Sequence, residues 1–206
     1  MFASIFNPET PFWQKISSFA DILGLSLLWL LTALPLFSVG AATAALYDAS
    51  ARCVRTGKSG AIVRYLTVFR RELLPSIPLT LMALAGLSLL SAPMGLFWWA
   101  TVQNMAGGSL ALAAYGVVLL IPLGAFCWLF PLLSRFALPP LGLVKVSCQL
   151  SVAYLPRTVA AVLVTILAIL LSALFWFPML VLPCITALLW SYLMEGPFQA
   201  HQPPTH

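Results

Sequence analysis

The side chains best able to do chemistry are few in this sequence and poorly placed for catalysis. Its two histidines, His201 and His206, both stand in the last six residues. No H-E-x-x-H helix and no His-centred metal site can therefore form in the body of the chain. There is no G-x-S-x-G elbow, and Gly57-Lys58-Ser59 lacks the upstream glycine of a phosphate loop and follows no strand. Cys53, Cys127, Cys148 and Cys184 are far apart and make no C-x-x-C pair. That leaves neither a disulfide framework nor a zinc site, and the four read as small packing residues. The expectation is a protein that is no enzyme and uses no cofactor.

Two carboxylates and one run of cations remain. Asp21 and Asp48 bracket an uncharged run from Ile22 to Tyr47. An ionisable group at membrane depth is costly and points to function by default. At a helix end, beside Lys15 or Arg52, the same group is a salt-bridged terminus. Both readings stand for Asp21 and Asp48. Arg52, Arg55, Lys58, Arg64, Arg70 and Arg71 all fall within twenty residues, more than orientation in a membrane needs. Each such cation contributes about 1 kcal/mol near an anionic surface, so the stretch suits anionic lipid headgroups or a cytoplasmic protein.

The elements that must carry these groups follow from composition. Of 206 residues, 62% are hydrophobic and 7% charged, against roughly 25% charged in a soluble domain. Fifteen charges cannot clothe a water-soluble body of this length. A soluble enzyme is excluded. The formal charge of +5 then reports basic loops beside a bilayer, not nucleic-acid binding.

The fold expected is all-α: a polytopic helical membrane bundle with five to six transmembrane helices and interfacial amphipathic elbows. Residues 1–20, interrupted by Pro8 and Pro11, form an interfacial segment anchored by Trp13 and Lys15. Spans are expected at about 21–36, 40–54, 74–101, 109–133, 158–177 and 179–193, within one membrane domain covering 1–194. Pro35 separates the first two spans, with Gly40 permitting the turn. The second is short and Ala-rich, so it is either a sunken span or a re-entrant arm. Ile62, Leu66, Phe69 and Leu73 recur at helical spacing over the basic stretch, the pattern of an interfacial helix. Arg135, Lys145 and Arg157 mark a second elbow, and the Pro-rich tail 195–206 reads as disordered. Gly86, Gly95, Gly116 and Gly124 suit close helix packing. A leader-like pattern closes at Ala41-Ala42-Thr43-Ala44, but its apolar run exceeds the usual 7–15 residues, and the first helix reads as uncleaved.

With six spans, all ten basic residues share one side, which the positive-inside rule assigns to the cytoplasm together with the C-terminus. With five, only Lys15 moves across. Trp98, Trp99 and Trp176 then form an outer aromatic belt, and Trp128, Tyr154, Trp190 and Tyr192 an inner one.

Three blocks carry a family resemblance. The run from Leu34-Pro35 through Gly40-Ala41-Ala42-Thr43-Ala44-Ala45-Leu46-Tyr47, the basic Phe69-Arg70-Arg71-Glu72, and Phe130-Pro131-Leu132-Leu133-Ser134-Arg135-Phe136 together resemble the YesL-like bacterial membrane proteins. Pro35, Gly40, Ala45, Leu46, Phe130, Pro131 and Arg135 are the positions that match. Ser38 departs from the family's more frequent Thr but keeps the hydroxyl. The family is a domain of unknown function. By association, the resemblance implies an accessory or regulatory part of carbohydrate ABC-type uptake in the bacterial plasma membrane, partnered by a membrane or cytoplasmic protein of that system. A small transporter or permease component is the alternative, motivated by the prolines that recur from Pro75 to Pro183 and by Asp21 and Asp48.

Overall fold

A computed structural model describes residues 11–105, 107–136, 139–175 and 177–201 of the chain. Residues 1–10 of the interfacial segment, Trp176 of the outer belt and residues 202–206 of the tail lie outside the described residues, as do the side chains of Trp13 and Lys15. The described residues form seven α-helices and no strand: α1 (Pro11–Ala33), α2 (Val39–Ala49), α3 (Ala61–Val102), α4 (Gly108–Arg135), α5 (Pro140–Ala153), α6 (Leu155–Leu174) and α7 (Leu182–His201).

Three of them, α3, α4 and α6, are long and apolar enough to cross a membrane. Their apolar side chains point outward. Leu89, Leu110, Val117, Leu167 and Leu174 all stand exposed, an arrangement that water would penalise and hydrocarbon tolerates. The protein is an all-helical membrane bundle.

Pro35 ends α1 as expected, because a residue preceding proline is pushed out of the helical region. The Ser38 hydroxyl closes the turn by donating to Pro35 O at 2.8 Å. Gly40 has a different role from the one expected. It lies inside α2 with ordinary helical geometry, and a Cβ there would collide with Thr80 Oγ1 and come within 2.9 Å of the Phe130 ring. Its missing side chain serves close approach.

The expected span at 40–54 is α2 plus a π turn at Ser50–Val54. At 1.5 Å per residue, the 11 residues of α2 rise about 16 Å, well short of the roughly 30 Å hydrocarbon core. Protein surrounds it instead. Ala41, Ala42, Ala44, Ala45 and Tyr47 are wholly buried, and α1, α3, α4 and α7 all pack on it. Small side chains on every face of a helix let four neighbours reach its backbone.

Three further boundaries differ from the sequence reading. The interfacial helix at the basic stretch and the span after it are one continuous 42-residue helix, α3, about 63 Å long at 1.5 Å per residue. It passes through Pro75 and Pro78, where Ser76 donates to Leu73 O at 3.0 Å and Thr80 to Ser76 O at 2.8 Å. The first helix starts at Pro11, within the expected interfacial segment. The tail is helical to His201, because Glu195 is tied to Arg135 and Gly196 lies against the Arg157 guanidinium.

Trp128 and Trp190, expected in an aromatic belt, belong to the core. The Trp128 indole N–H donates to Thr158 Oγ1 at 3.0 Å, and Thr158 in turn donates to Ser151 O at 3.0 Å. This relay joins α4, α5 and α6. Trp98, Trp99 and Tyr192 remain exposed. Of the glycines expected to pack, Gly86 and Gly124 meet Phe126 and Thr158, whereas Gly95 and Gly116 face open space.

These contacts predict opposite outcomes for two glycine substitutions. Gly40→Ala overpacks the joint of α2, α3 and α4 and should cost about 1–3 kcal/mol. Gly95→Ala, with nothing near its Cβ, should be neutral or gain up to about 1 kcal/mol from helix propensity. Thermal unfolding of the two variants in detergent measures the difference.

Candidate anion-binding groove

The chain leaves α2 through a π turn, closed by Arg55 N–H donating to Ser50 O at 3.0 Å. Such turns are rare and concentrate at functional sites. The link that follows reverses direction at Gly57 (φ +67°) and Gly60 (φ +90°), left-handed positions that a side chain would strain by roughly 1–2 kcal/mol. Helix α3 then begins at Ala61, directly after the second glycine. Gly60 provides no side chain to cap it.

This reversal brings the π turn, the link and the first turns of α3 to the ends of α4 and α7. Between them is a groove of about 890 Å³. Arg52, Arg55, Lys58, Arg64, Arg71 and Arg135 line it. The carboxylates in or beside these side chains are Asp48, Glu72 and Glu195. Among the described residues, six cations against three anions leave the groove strongly positive.

Asp48 anchors the arrangement. It is only 1% exposed, and a buried carboxylate is tolerable only when paired. Its Oδ1 accepts Arg52 Nε at 2.9 Å and its Oδ2 accepts Arg64 Nε at 2.6 Å. Each guanidinium is held by its inner nitrogen and remains substantially exposed, 46% and 38% respectively. Arg71 is held the same way, Nε to Glu72 Oε1 at 2.6 Å. Arg55 donates from Nη1 to Ser191 O at 3.2 Å and lies over the Tyr192 ring, 5.5 Å from its centre. On the far wall Arg135 Nη2 pairs with Glu195, which also accepts the Tyr47 hydroxyl at 3.5 Å. Among the described residues, the Arg135 Nε is buried with no hydrogen-bond partner.

Five of the six cations singled out from sequence meet here, and Arg70 is the exception, exposed outside the lining. Of the two aspartates, Asp48 is at the centre. Asp21 is partly exposed and has no ion pair among the described residues. Arg135, noted as a motif position, joins the groove, while Gly40 and Phe130 meet deeper in the bundle. Pro35 closes the α1–α2 turn, and Ala45, Leu46 and Pro131 are buried packing residues. Sequence reasoning missed Tyr47, Glu72 and Glu195. Glu195 is the only carboxylate after Glu72, and that isolation was the available signal. Among the described residues, no group of three His, Cys, Asp or Glu side chains is placed to hold a metal ion.

A second cavity, of about 520 Å³, lies among α1, α2, α4, α6 and α7. Trp29, Leu46, Phe126, Phe130, Ile166 and Trp190 line it, with no charged residue among the described ones.

The helices that build the groove's near wall coincide with a known family. Residues 22–92 match DUF624, a family described as protein of unknown function. The matched segment runs from α1 through most of α3 and so holds Asp48 and five of the six groove cations. Arg135 and Glu195 lie beyond it. The first two sequence blocks of the YesL-like resemblance fall inside the matched segment. No curated protein and no solved structure matches the chain.

The shared carboxylate makes a graded prediction. Asp48→Asn leaves two guanidiniums crowded without their counter-charge. It should destabilise the protein by roughly 1–3 kcal/mol, less than a fully buried pair because both arginines reach solvent. Arg52→Gln or Arg64→Gln alone should cost clearly less, since the other arginine still pairs with Asp48. Thermal denaturation of the three variants in one detergent ranks them; equal losses would contradict a shared clamp.

Proposed function

We propose that the protein is a non-enzymatic, multi-pass component of the bacterial plasma membrane, accessory or regulatory to a carbohydrate ABC-type uptake system. The basic groove is its working face and lies on the cytoplasmic side. The observation that supports this reading is the convergence of six cations from three separate parts of the chain on one groove. Orientation in a membrane needs positive loops but not their assembly into a concave site. The uptake link follows from the YesL-like kinship, and the cytoplasmic assignment from the placement of basic residues.

The alternative, a small transporter or permease component, would use Asp48 as a pathway carboxylate. Two arginines already neutralise that group, which favours the accessory reading. The charge-free lining of the second cavity likewise offers a polar solute little to hold.

Two measurements test the proposal. After extraction in a mild detergent, a permease, ATPase or sensor protein should accompany the chain; recovery of the chain alone would overturn the accessory role. In a Cys148→Ser background, a membrane-impermeant maleimide added to intact cells should label Gln103→Cys and spare Lys58→Cys. Labelling of Lys58→Cys would put the groove outside.

A further inference from the structure

We infer that the basic groove is a binding site for a phosphate group, carried either by a soluble phosphomonoester or by the headgroup of an anionic lipid. The inference rests on the groove being the working face, and it adds the chemistry of what enters.

Four features converge on phosphate. Five of the six lining cations are arginines, whose planar fork fits phosphate oxygens in pairs where lysine offers a point charge. Asp48 and Glu72 hold Arg52, Arg64 and Arg71 by Nε, which fixes each fork while leaving its outer nitrogens for an incoming oxygen. The start of α3 opens on the same groove through Ser59, Gly60 and Val63, with no side-chain cap. Its first amides and the positive end of a 42-residue helix therefore add to the field. Finally, Arg135 has a side chain only 9% exposed that lines the groove on its far wall. Sheltered from water in this way, the Arg135 charge is weakly screened and adds to the attraction for an anion seated in the groove.

The size suits a small group rather than a chain. About 890 Å³ lies within the usual 300–1,000 Å³ of ligand sites. Among the described residues, no aromatic side chain lines the groove, so these residues offer no stacking platform of the kind that holds single-stranded nucleic acid. The three cations in excess of the neighbouring carboxylates outnumber a phosphate's charge of up to two. Beside the groove, Ile62 and Val63 present exposed apolar surface, on which the glycerol and first acyl carbons of a lipid could rest.

The test uses the full chain purified in a non-ionic detergent. Unfolding temperature is followed against inorganic phosphate and against chloride at matched ionic strength. In parallel, the chain is placed in nanodiscs of mixed phosphatidylglycerol and phosphatidylcholine, and retained lipid is read by native mass spectrometry. The variant K58Q/R71Q removes two exposed cations of the groove, and R70Q removes an exposed cation outside it. Saturable stabilisation by phosphate, weakened roughly thirtyfold in K58Q/R71Q and unchanged in R70Q, supports a soluble phosphomonoester. Selective retention of phosphatidylglycerol, lost in K58Q/R71Q and kept in R70Q, supports a headgroup. Neither effect, or equal loss in R70Q and K58Q/R71Q, overturns the site. Phosphate binding without any co-purifying protein would leave this site standing while the accessory role fell, and the converse result would do the reverse.

Discussion

A carboxylate with 1% of its surface exposed must be neutralised where it sits, and much of the basic end of the molecule follows from how Asp48 meets that demand. One partner, Arg52, comes from a turn further along the same helix. The other, Arg64, lies beyond a chain reversal, in the second turn of α3. Satisfying both oxygens at once fixes the length of the link between them and the direction in which α3 departs. The two left-handed glycines at positions 57 and 60 make that short reversal accessible to the backbone. The π turn falls in the same constrained stretch, just after Asp48. An extra residue per turn rotates the side chains that follow, including Arg52 and Arg55, relative to the α2 ladder.

The clamp could not form at the surface of an ordinary amphipathic helix. It needs α2 to be enclosed, and α2 is enclosed because Ala and Gly supply six of its 11 residues and let neighbours come close. Lipid tails are as apolar as leucine, so burying more leucine would gain little here; close packing of small residues is what draws helices together in a bilayer. Gly40 against Thr80 and Phe130 sets the spacing at one end of α2, and Asp48 with its arginines sets it at the other. Between them Tyr47 reaches Glu195, which ties α7 to the same axis. The second pair, Arg135 with Glu195, closes the far wall. Groove and core are thus one construction: the cations on the surface are fixed by partners that belong to the packed interior.

The helical membrane character was legible from composition because a deficit of charge over the whole chain has few physical solutions. The break at Pro35 was legible because proline acts locally on the backbone. Continuity of α3 was not. A polar stretch followed by an apolar one looks like two elements, and only tertiary contacts on both halves show that one helix carries them. Gly40 was assigned to a turn for a related reason: sequence reveals that a side chain is missing but not which neighbour would have met it. The basic run announced half of the groove. The other half, Arg135 with Glu195, lies more than sixty residues downstream of Arg71 and is joined to it only by folding. Glu195 was further obscured by the prolines and glycine of its surroundings, which suggest disorder, whereas its ion pair holds the helix in place.

The same construction explains why the groove can present so many like charges without tearing itself apart. Free arginines crowded in this way would repel one another and disperse into solvent, and each would lose rotamer freedom on binding an anion. Here Asp48 and Glu72 offset part of the charge and hold three guanidiniums by their inner nitrogens. The ordering cost is met during folding, so a ligand that enters has less of it left to offset, which is the advantage of preorganisation. The residual positive charge then acts over a short range, about 8 Å at physiological ionic strength. Remote anions are screened, and one seated in the groove is not. A site built in this way selects for a compact, multiply charged group that reaches several fixed forks together, and it discriminates against a diffuse anion that can engage only one.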